Sequence, residues 1–113
     1  MKEQPLVSII MNCYNSSSYL EEAIQSVLEQ TYSNWEIIFW DNASTDNSAQ
    51  IVKGFQDSRI RYFYSSTNEL LYKARNNAIS QCKGKFIGFL DCDDIWFKDK
   101  LSKQIPYFSD SIK

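Results

Sequence analysis

Four short apolar runs, at residues 7–11, 35–40, 60–64 and 86–90, recur along the chain with amphipathic segments between them. The first, second and fourth are almost continuously apolar and rich in Ile, Val and aromatic residues, the pattern of strands covered on both faces. Such strands need helices above and below them, and each intervening segment is long enough to return the chain to a parallel neighbour. The alternation predicts an α/β fold: a mostly parallel, Rossmann-like open sheet with helices on both faces. Its strands are expected near residues 6–12, 35–41, 59–64 and 85–91.

The helices are predicted from spacing and end signals. Leu20, Ala23, Ile24, Val27 and Leu28 recur at helical spacing after Ser18-Tyr19-Leu20-Glu21, a capping-box pattern. A second helix is expected over residues 46–55, capped by Ser44 or Thr45 and weakened at its end by Gly54. A third, over 69–82, stops before Gly84, a residue suited to the left-handed position after a helix. A fourth is expected over 98–107, with Pro106 disturbing its last turn.

The 113 residues suit a single domain over 1–113. A net charge of −2 argues against nucleic acid or an anionic membrane as the main partner, since both require clustered Lys and Arg. Residues 1–52 carry seven acids and one base, and residues 53–113 seven acids and eleven bases, an asymmetry that a solvated surface also produces. Cys13, Cys82 and Cys92 are odd in number and widely spaced, with no Cys-x-x-Cys and no histidine, which argues against zinc and fits a reduced, cytoplasmic setting. Met-Lys-Glu-Gln-Pro leads directly into the first run, without a long hydrophobic segment for secretion or spanning.

Polar clusters follow three of the runs: Asn12-Cys13-Tyr14-Asn15, Asp41-Asn42-Ala43-Ser44 and Asp91-Cys92-Asp93-Asp94. In an open parallel sheet these ends share one edge, where ligands bind. Three carboxylates within four residues repel one another unless a cation or hydrogen-bond donors offset them, and oxygen ligands favour magnesium or manganese. A cation held by one or two carboxylates keeps positions open for phosphate oxygens. Asp93 and Asp94 also suit a turn or helix cap, and Asn15 suits a turn. Tyr14 is able to stack on a base or sugar, or to pack as structure. Asp41 suits either a base and ribose or a turn beside Ser44 and Thr45. Arg75, in Lys73-Ala74-Arg75-Asn76-Asn77, suits phosphate or solvent.

Taken together, these segments resemble the family 2 glycosyltransferases, of the nucleotide-diphospho-sugar transferase fold, over essentially the whole chain. The segments that carry the resemblance are Val7-Ser8-Ile9-Ile10-Met11-Asn12-Cys13-Tyr14-Asn15, Ser26-Val27-Leu28-Glu29-Gln30-Thr31-Tyr32 and Trp40-Asp41-Asn42-Ala43-Ser44-Thr45-Asp46. They continue with Ala74-Arg75-Asn76-Asn77-Ala78, Gly84-Lys85-Phe86-Ile87 and Phe89-Leu90-Asp91-Cys92-Asp93-Asp94, in the family's order. The resemblance implies that Asn12, Tyr14, Asp41 and Asn42 surround the nucleotide base and ribose, with Arg75 nearby. Asp91 would approach the ribose or sugar, and Asp93 would ligate a divalent metal, Mn2+ or Mg2+, between the two phosphates. Family members often carry two aspartates where this chain has Asp41-Asn42, a change that bears on base choice because an amide donates as well as accepts. UDP or dTDP sugars are the implied donors.

The resemblance also implies that residues 1–113 form the donor-binding half, with the acceptor-binding half and its catalytic base beyond Lys113. In the intact family the metal and pocket donors stabilise the leaving diphosphate, while a carboxylate deprotonates the acceptor hydroxyl and the anomeric centre inverts. The implied acceptor is a glycan or lipid-linked sugar, with scope for peripheral membrane association of the full protein and for homo-oligomers. A nonenzymatic nucleotide-sugar-binding module is the alternative. A nucleotidyltransferase is disfavoured because residues 12–18 contain no Gly, Lys or Arg.

Overall fold

The computed structural model describes residues 4–111, with side chains up to residue 105. Strand and helix alternate throughout: β1 (Val7–Cys13), α1 (Leu20–Leu28), β2 (Trp35–Asn42), α2 (Ser48–Gly54), β3 (Ile60–Ser65), α3 (Leu71–Ser80), β4 (Phe86–Phe89) and α4 (Lys100–Ser111). The four strands form one sheet in the order β3-β2-β1-β4, and every pairing is parallel. The α/β expectation is met.

The continuous apolar runs have the predicted cause. Alternate residues of β1 and β2 serve different helices, so neither strand has a solvent face. Ile9, Met11, Ile37 and Phe39 share one core with Leu20, Ala23, Ile24 and Val27 of α1 and Leu101 and Ile105 of α4. Ile10 and Ile38 meet Ala78 of α3 on the opposite face, with Trp40 and Phe63 packed beside them. Each fully buried Ile, Leu or Phe contributes about 1.5–3 kcal/mol, so the larger layer against α1 carries most of the stabilisation.

Several end signals act differently from expectation. Ser18 does not cap α1: the N-cap is Tyr19, without a side-chain bond, and the Leu20 and Ala23 N–H groups donate to the Ser17 and Tyr19 carbonyls instead. α2 begins later than predicted because Asp46, rather than Ser44 or Thr45, accepts the Ser48 N–H at 3.0 Å and the Ser48 hydroxyl at 2.6 Å. α4 runs through Pro106 to Ser111, beyond the predicted end.

Gly84 is also corrected, since none of the glycines has a positive φ. Its requirement is space. A Cβ there would meet the Leu6 carbonyl oxygen, the Ser8 N and the Ser8 Oγ, each at 2.7 Å.

That close approach belongs to a buried polar brace at the amino ends of the strands. Ser8 donates its hydroxyl to Glu36 Oε2 at 2.6 Å and accepts the Gly84 N–H at 2.8 Å, while the Lys83 N–H reaches the same carboxylate at 2.8 Å. Arg61 donates to Glu36 Oε1 at 3.1 Å and to the Gln81 carbonyl at 2.7 Å. Burial pushes the Glu36 carboxyl up, but the bonds from Ser8, Lys83 and Arg61 outweigh it and hold the group below the ordinary carboxylate value.

A carboxyl depressed on folding stabilises the protein above its unfolded pKa of about 4.3 and loses that contribution as pH falls through the lower folded value. Glu36→Gln is therefore expected to cost about 1–3 kcal/mol in urea denaturation at pH 7. The deficit should shrink as the comparison moves down through the acid range. Gly84→Ala should destabilise at every pH, because its clash is with backbone and does not titrate.

Candidate functional site

β2 and β3 extend to one side of β1, whereas β4 returns to the other, so the strand order switches between β1 and β4. Open α/β sheets bind ligands beyond the carboxyl ends of the strands at such a junction. A cavity of about 350 Å³ opens there, lined by Asn12, Ser16, Ser18, Tyr19, Asp91, Cys92 and Asp93. Three of the residues singled out in the sequence, Asn12, Asp91 and Asp93, thus come together from positions far apart in the chain.

Asp91, Asp93 and Asp94 are exposed, and one carboxylate oxygen from each lies within 4.8 Å of the others. The Asp94 N–H also donates to the Asp91 carbonyl at 3.0 Å, so the segment is a turn as well as an acidic cluster. The donor set is all oxygen, as a hard divalent cation requires. Cys92 adds no thiolate, because it is bonded to Cys13. This disulfide corrects the expectation of reduced cysteines: the partners are 79 positions apart in sequence, but the β1–β4 pairing sets their Cα atoms 6.3 Å apart.

The other candidates do not line this cavity. Asp41 is buried, accepting a hydrogen bond from the Tyr62 hydroxyl on Oδ2 and the Ser44 N–H on Oδ1 at 2.8 Å. Burial and that carboxylate push the Tyr62 phenol far above its ordinary value. Asn42 accepts the Glu69 N–H at 2.9 Å and donates to the Glu69 carbonyl at 2.8 Å, tying the end of β2 to the approach of α3. Tyr14 is half exposed at the end of β1. Arg75 is exposed on α3, its guanidinium 5.1 Å from the centroid of the Phe89 ring on β4.

Asn15 forms the expected turn, with φ of 49°, and its Oδ1 accepts the Thr45 N–H at 2.8 Å and the Asp46 N–H at 3.3 Å. Asp46 in turn accepts the Ser17 N–H at 3.2 Å. Burial pushes the Asp46 carboxyl up, and the bonds from Ser48 and Ser17 outweigh it and hold the group low. The loops after β1 and β2 are thereby stitched together. Sequence reasoning missed Ser16, Ser18 and Tyr19 as cavity residues, although their place in the loop after the first strand was the available signal. It also missed Tyr62, the donor that a carboxylate at the end of a buried strand demands from a neighbouring strand.

A family model described as Glycosyl transferase family 2 matches residues 8–111, which include every residue of this cavity. The chain belongs to glycosyl transferase family 2.

Among its relatives is the Escherichia coli UDP-Glc:alpha-D-GlcNAc-diphosphoundecaprenol beta-1,3-glucosyltransferase WfgD, 46% identical over 100 residues that make up 88% of this chain and 40% of that protein. S. aureus TarS 1-349 in complex with UDP-GlcNAc superimposes with a TM-score of 0.86 at 30% identity, over 92% of this chain and 31% of that one. The mannosyltransferase PcManGT from Pyrobaculum calidifontis, in complex with GDP-Man and Mn2+, shares the fold with a TM-score of 0.87 at 23% identity, over 95% of this chain and 33% of its own. This family 2 chain spans about two fifths or less of the length of the curated relatives it matches.

In this family 2 chain the Asp41–Tyr62 bond has a measurable role in stability. Tyr62→Phe leaves Asp41 Oδ2 buried without that donor and keeps the ring that stacks on Phe39 at 5.7 Å between centroids. A loss of about 1–3 kcal/mol is expected in chemical denaturation. An unchanged midpoint would show that Asp41 finds another donor.

Proposed function

We propose that this chain is the donor-binding half, a single domain over residues 1–113, of a metal-dependent, inverting glycosyltransferase that moves a sugar from a nucleoside diphosphate sugar to an acceptor hydroxyl. The observation that carries the reading is the convergence of Asp91, Asp93 and Asp94 within 4.8 Å beside Asn12, where the strand order of a family 2 sheet switches. Asp93 would hold Mn2+ or Mg2+, with Asp91 directed to the ribose or sugar. Asn12, Tyr14, Asp41 and Asn42 would border the base and ribose, with Arg75 on the phosphate side. When bound, the cation offsets the charge of the departing diphosphate. Asn12 contributes an amide at the cavity wall, and the bonds made by Asp41 and Asn42 keep the end of β2 fixed before the ligand arrives.

The relatives support the substrate classes. WfgD is named for UDP-Glc and a diphosphoundecaprenol-linked sugar, and TarS is solved with UDP-GlcNAc. A UDP sugar, or a dTDP sugar, is accordingly the proposed donor, and a glycan or lipid-linked sugar the acceptor, met at the cytoplasmic side of a membrane. Among the described residues no helix is long and apolar enough to cross a membrane. Exposed Leu70, Leu71, Ile95 and Phe97 offer apolar surface for self-association or for contact with further parts of the protein.

Calorimetric titration of UDP in the presence of Mn2+ tests the site directly. Asp93→Asn is expected to weaken binding about tenfold or more, a loss of at least about 1.4 kcal/mol. Equal affinity in the two proteins, or binding of the unsubstituted chain that ignores the metal, contradicts the assignment. With labelled UDP sugars and an acceptor panel, this chain alone should bind donor without multiple-turnover transfer, since the base is assigned outside residues 1–113.

A further inference from the structure

The Cys13–Cys92 disulfide falls at the junction where the strand order switches. Cys13 is the last residue of β1, and Cys92 lies three positions after the end of β4. Candidate ligands flank both halves of the bridge: Asn12 and Tyr14 on one side, Asp91 and Asp93 on the other. Both half-cystines are largely buried, and Cys92 lines the cavity, the side from which an exchanging thiol reaches the bridge. Cys82, the remaining cysteine, is free, and burial pushes its thiol up, which leaves it poorly suited to compete in exchange.

Few other bonds hold the acidic loop to the sheet. The Leu90 N–H donates to the Ile10 carbonyl at 3.0 Å, and the Trp96 N–H reaches the Ser26 hydroxyl at 3.1 Å on the far side of the turn. Between these points the bridge is the covalent tie. A bonded sulfur pair sits about 2 Å apart. Once separated, two sulfurs must retreat to about 3.5–4 Å, a normal non-bonded contact. A packed interior does not absorb that movement locally, so it passes to the adjacent carboxylates. The reduced state also has a resting place, because Cys92 Sγ lies 3.6 Å from the Asn12 carbonyl, an acceptor for the S–H formed on reduction.

We infer that Cys13 and Cys92 form a reversible redox-modification site that sets the geometry of the acidic loop, with the oxidised form binding a metal–nucleoside diphosphate more tightly than the reduced form. For its ligand this rests on the donor-site reading above. The reductant is a dithiol. One of its thiolates attacks a sulfur of the bridge, giving a mixed disulfide, and its second thiol resolves that intermediate. Two electrons and two protons pass to Cys13 and Cys92, which become thiols, and the dithiol becomes a disulfide. A disulfide oxidant reverses the exchange. By reciprocity, the bound ligand protects the bridge from reduction by the same factor that the bridge contributes to affinity.

The test compares this chain after oxidation with glutathione disulfide and after reduction with dithiothreitol. Alkylation under denaturing conditions, read by mass spectrometry, should label one cysteine in the first form and three in the second. UDP titrated with Mn2+ should bind the oxidised form about tenfold more tightly, a factor in keeping with the sensitivity of site geometry to displacements near 1 Å. Cys82→Ser should behave in the same way, and the Cys13→Ala/Cys92→Ala double variant should ignore both reagents.

Three labelled cysteines after oxidation would overturn the bridge. Equal affinity in the two redox forms, or tighter binding after reduction, would overturn the coupling. If neither form binds Mn2+ and UDP, the donor-site reading fails instead, and hydrogen exchange at the amides of residues 91–94 decides the redox inference. Slower exchange in the oxidised form supports it, and equal exchange in both forms rejects it.

Discussion

β1 bonds in parallel to β2 along its whole length and to β4 over its first residues, with Ile9 opposite both Ile37 and Gly88. Because both pairings run in the same sense, every loop that leaves a carboxyl end does so at one edge of the sheet. Asn12 and Asp93 are neighbours only for this reason. The burial of β1 on both faces enforces the arrangement, since a one-residue slip would exchange the α1 core face for the α3 face along the whole strand. The site therefore depends on apolar packing that, apart from Cys92, is built from residues outside the cavity.

The two edges of the sheet are held by different chemistry. At the amino ends, the buried Glu36 is nearly saturated by Ser8, Lys83 and Arg61. At the carboxyl ends, Asn15 and Asp46 cross-link two exposed loops through backbone N–H groups. The first arrangement fixes where β4 begins. The second fixes the loop that carries Ser16, Ser18 and Tyr19 into the cavity, while leaving those side chains at the surface of the protein.

What could be read in the sequence follows from how local each cause is. The strands were legible because residues 7–11 and 35–40 are apolar on both alternations, a property that survives without knowledge of neighbours. The site edge was legible because the acidic and amide clusters directly follow those runs. Ser18 misled because a capping box competes with the main-chain turn from Ser17 to Leu20, which the sequence does not display. Gly84 was noticed for the wrong reason: its constraint is the Leu6 and Ser8 backbone beside it, which only strand order supplies. The disulfide was invisible on the same ground. Seventy-nine positions of separation become a bond only when β4 lies next to β1. Tyr62 belongs to this class too, as its phenol meets Asp41 across a strand pair.

The carboxylates of the chain divide by whether their lone pairs are already engaged. Glu36 is occupied by its brace, Asp41 by Tyr62 and Ser44, and Asp46 by Ser48 and Ser17. Each of these groups has donors from the protein to offset its charge, and each holds backbone in place. Among the described residues no hydrogen bond or ion pair reaches the carboxylates of Asp91, Asp93 or Asp94, although one oxygen from each lies within 4.8 Å of the others. Like charges at that separation repel, and the cluster gains stability from any cation that enters it. A divalent ion bound by so few protein oxygens retains positions for other ligands, and the adjoining cavity is where those ligands have room. The acids that brace the backbone and the acids clustered at the cavity are thus separate sets, distinguished by which of them the fold has left without donors.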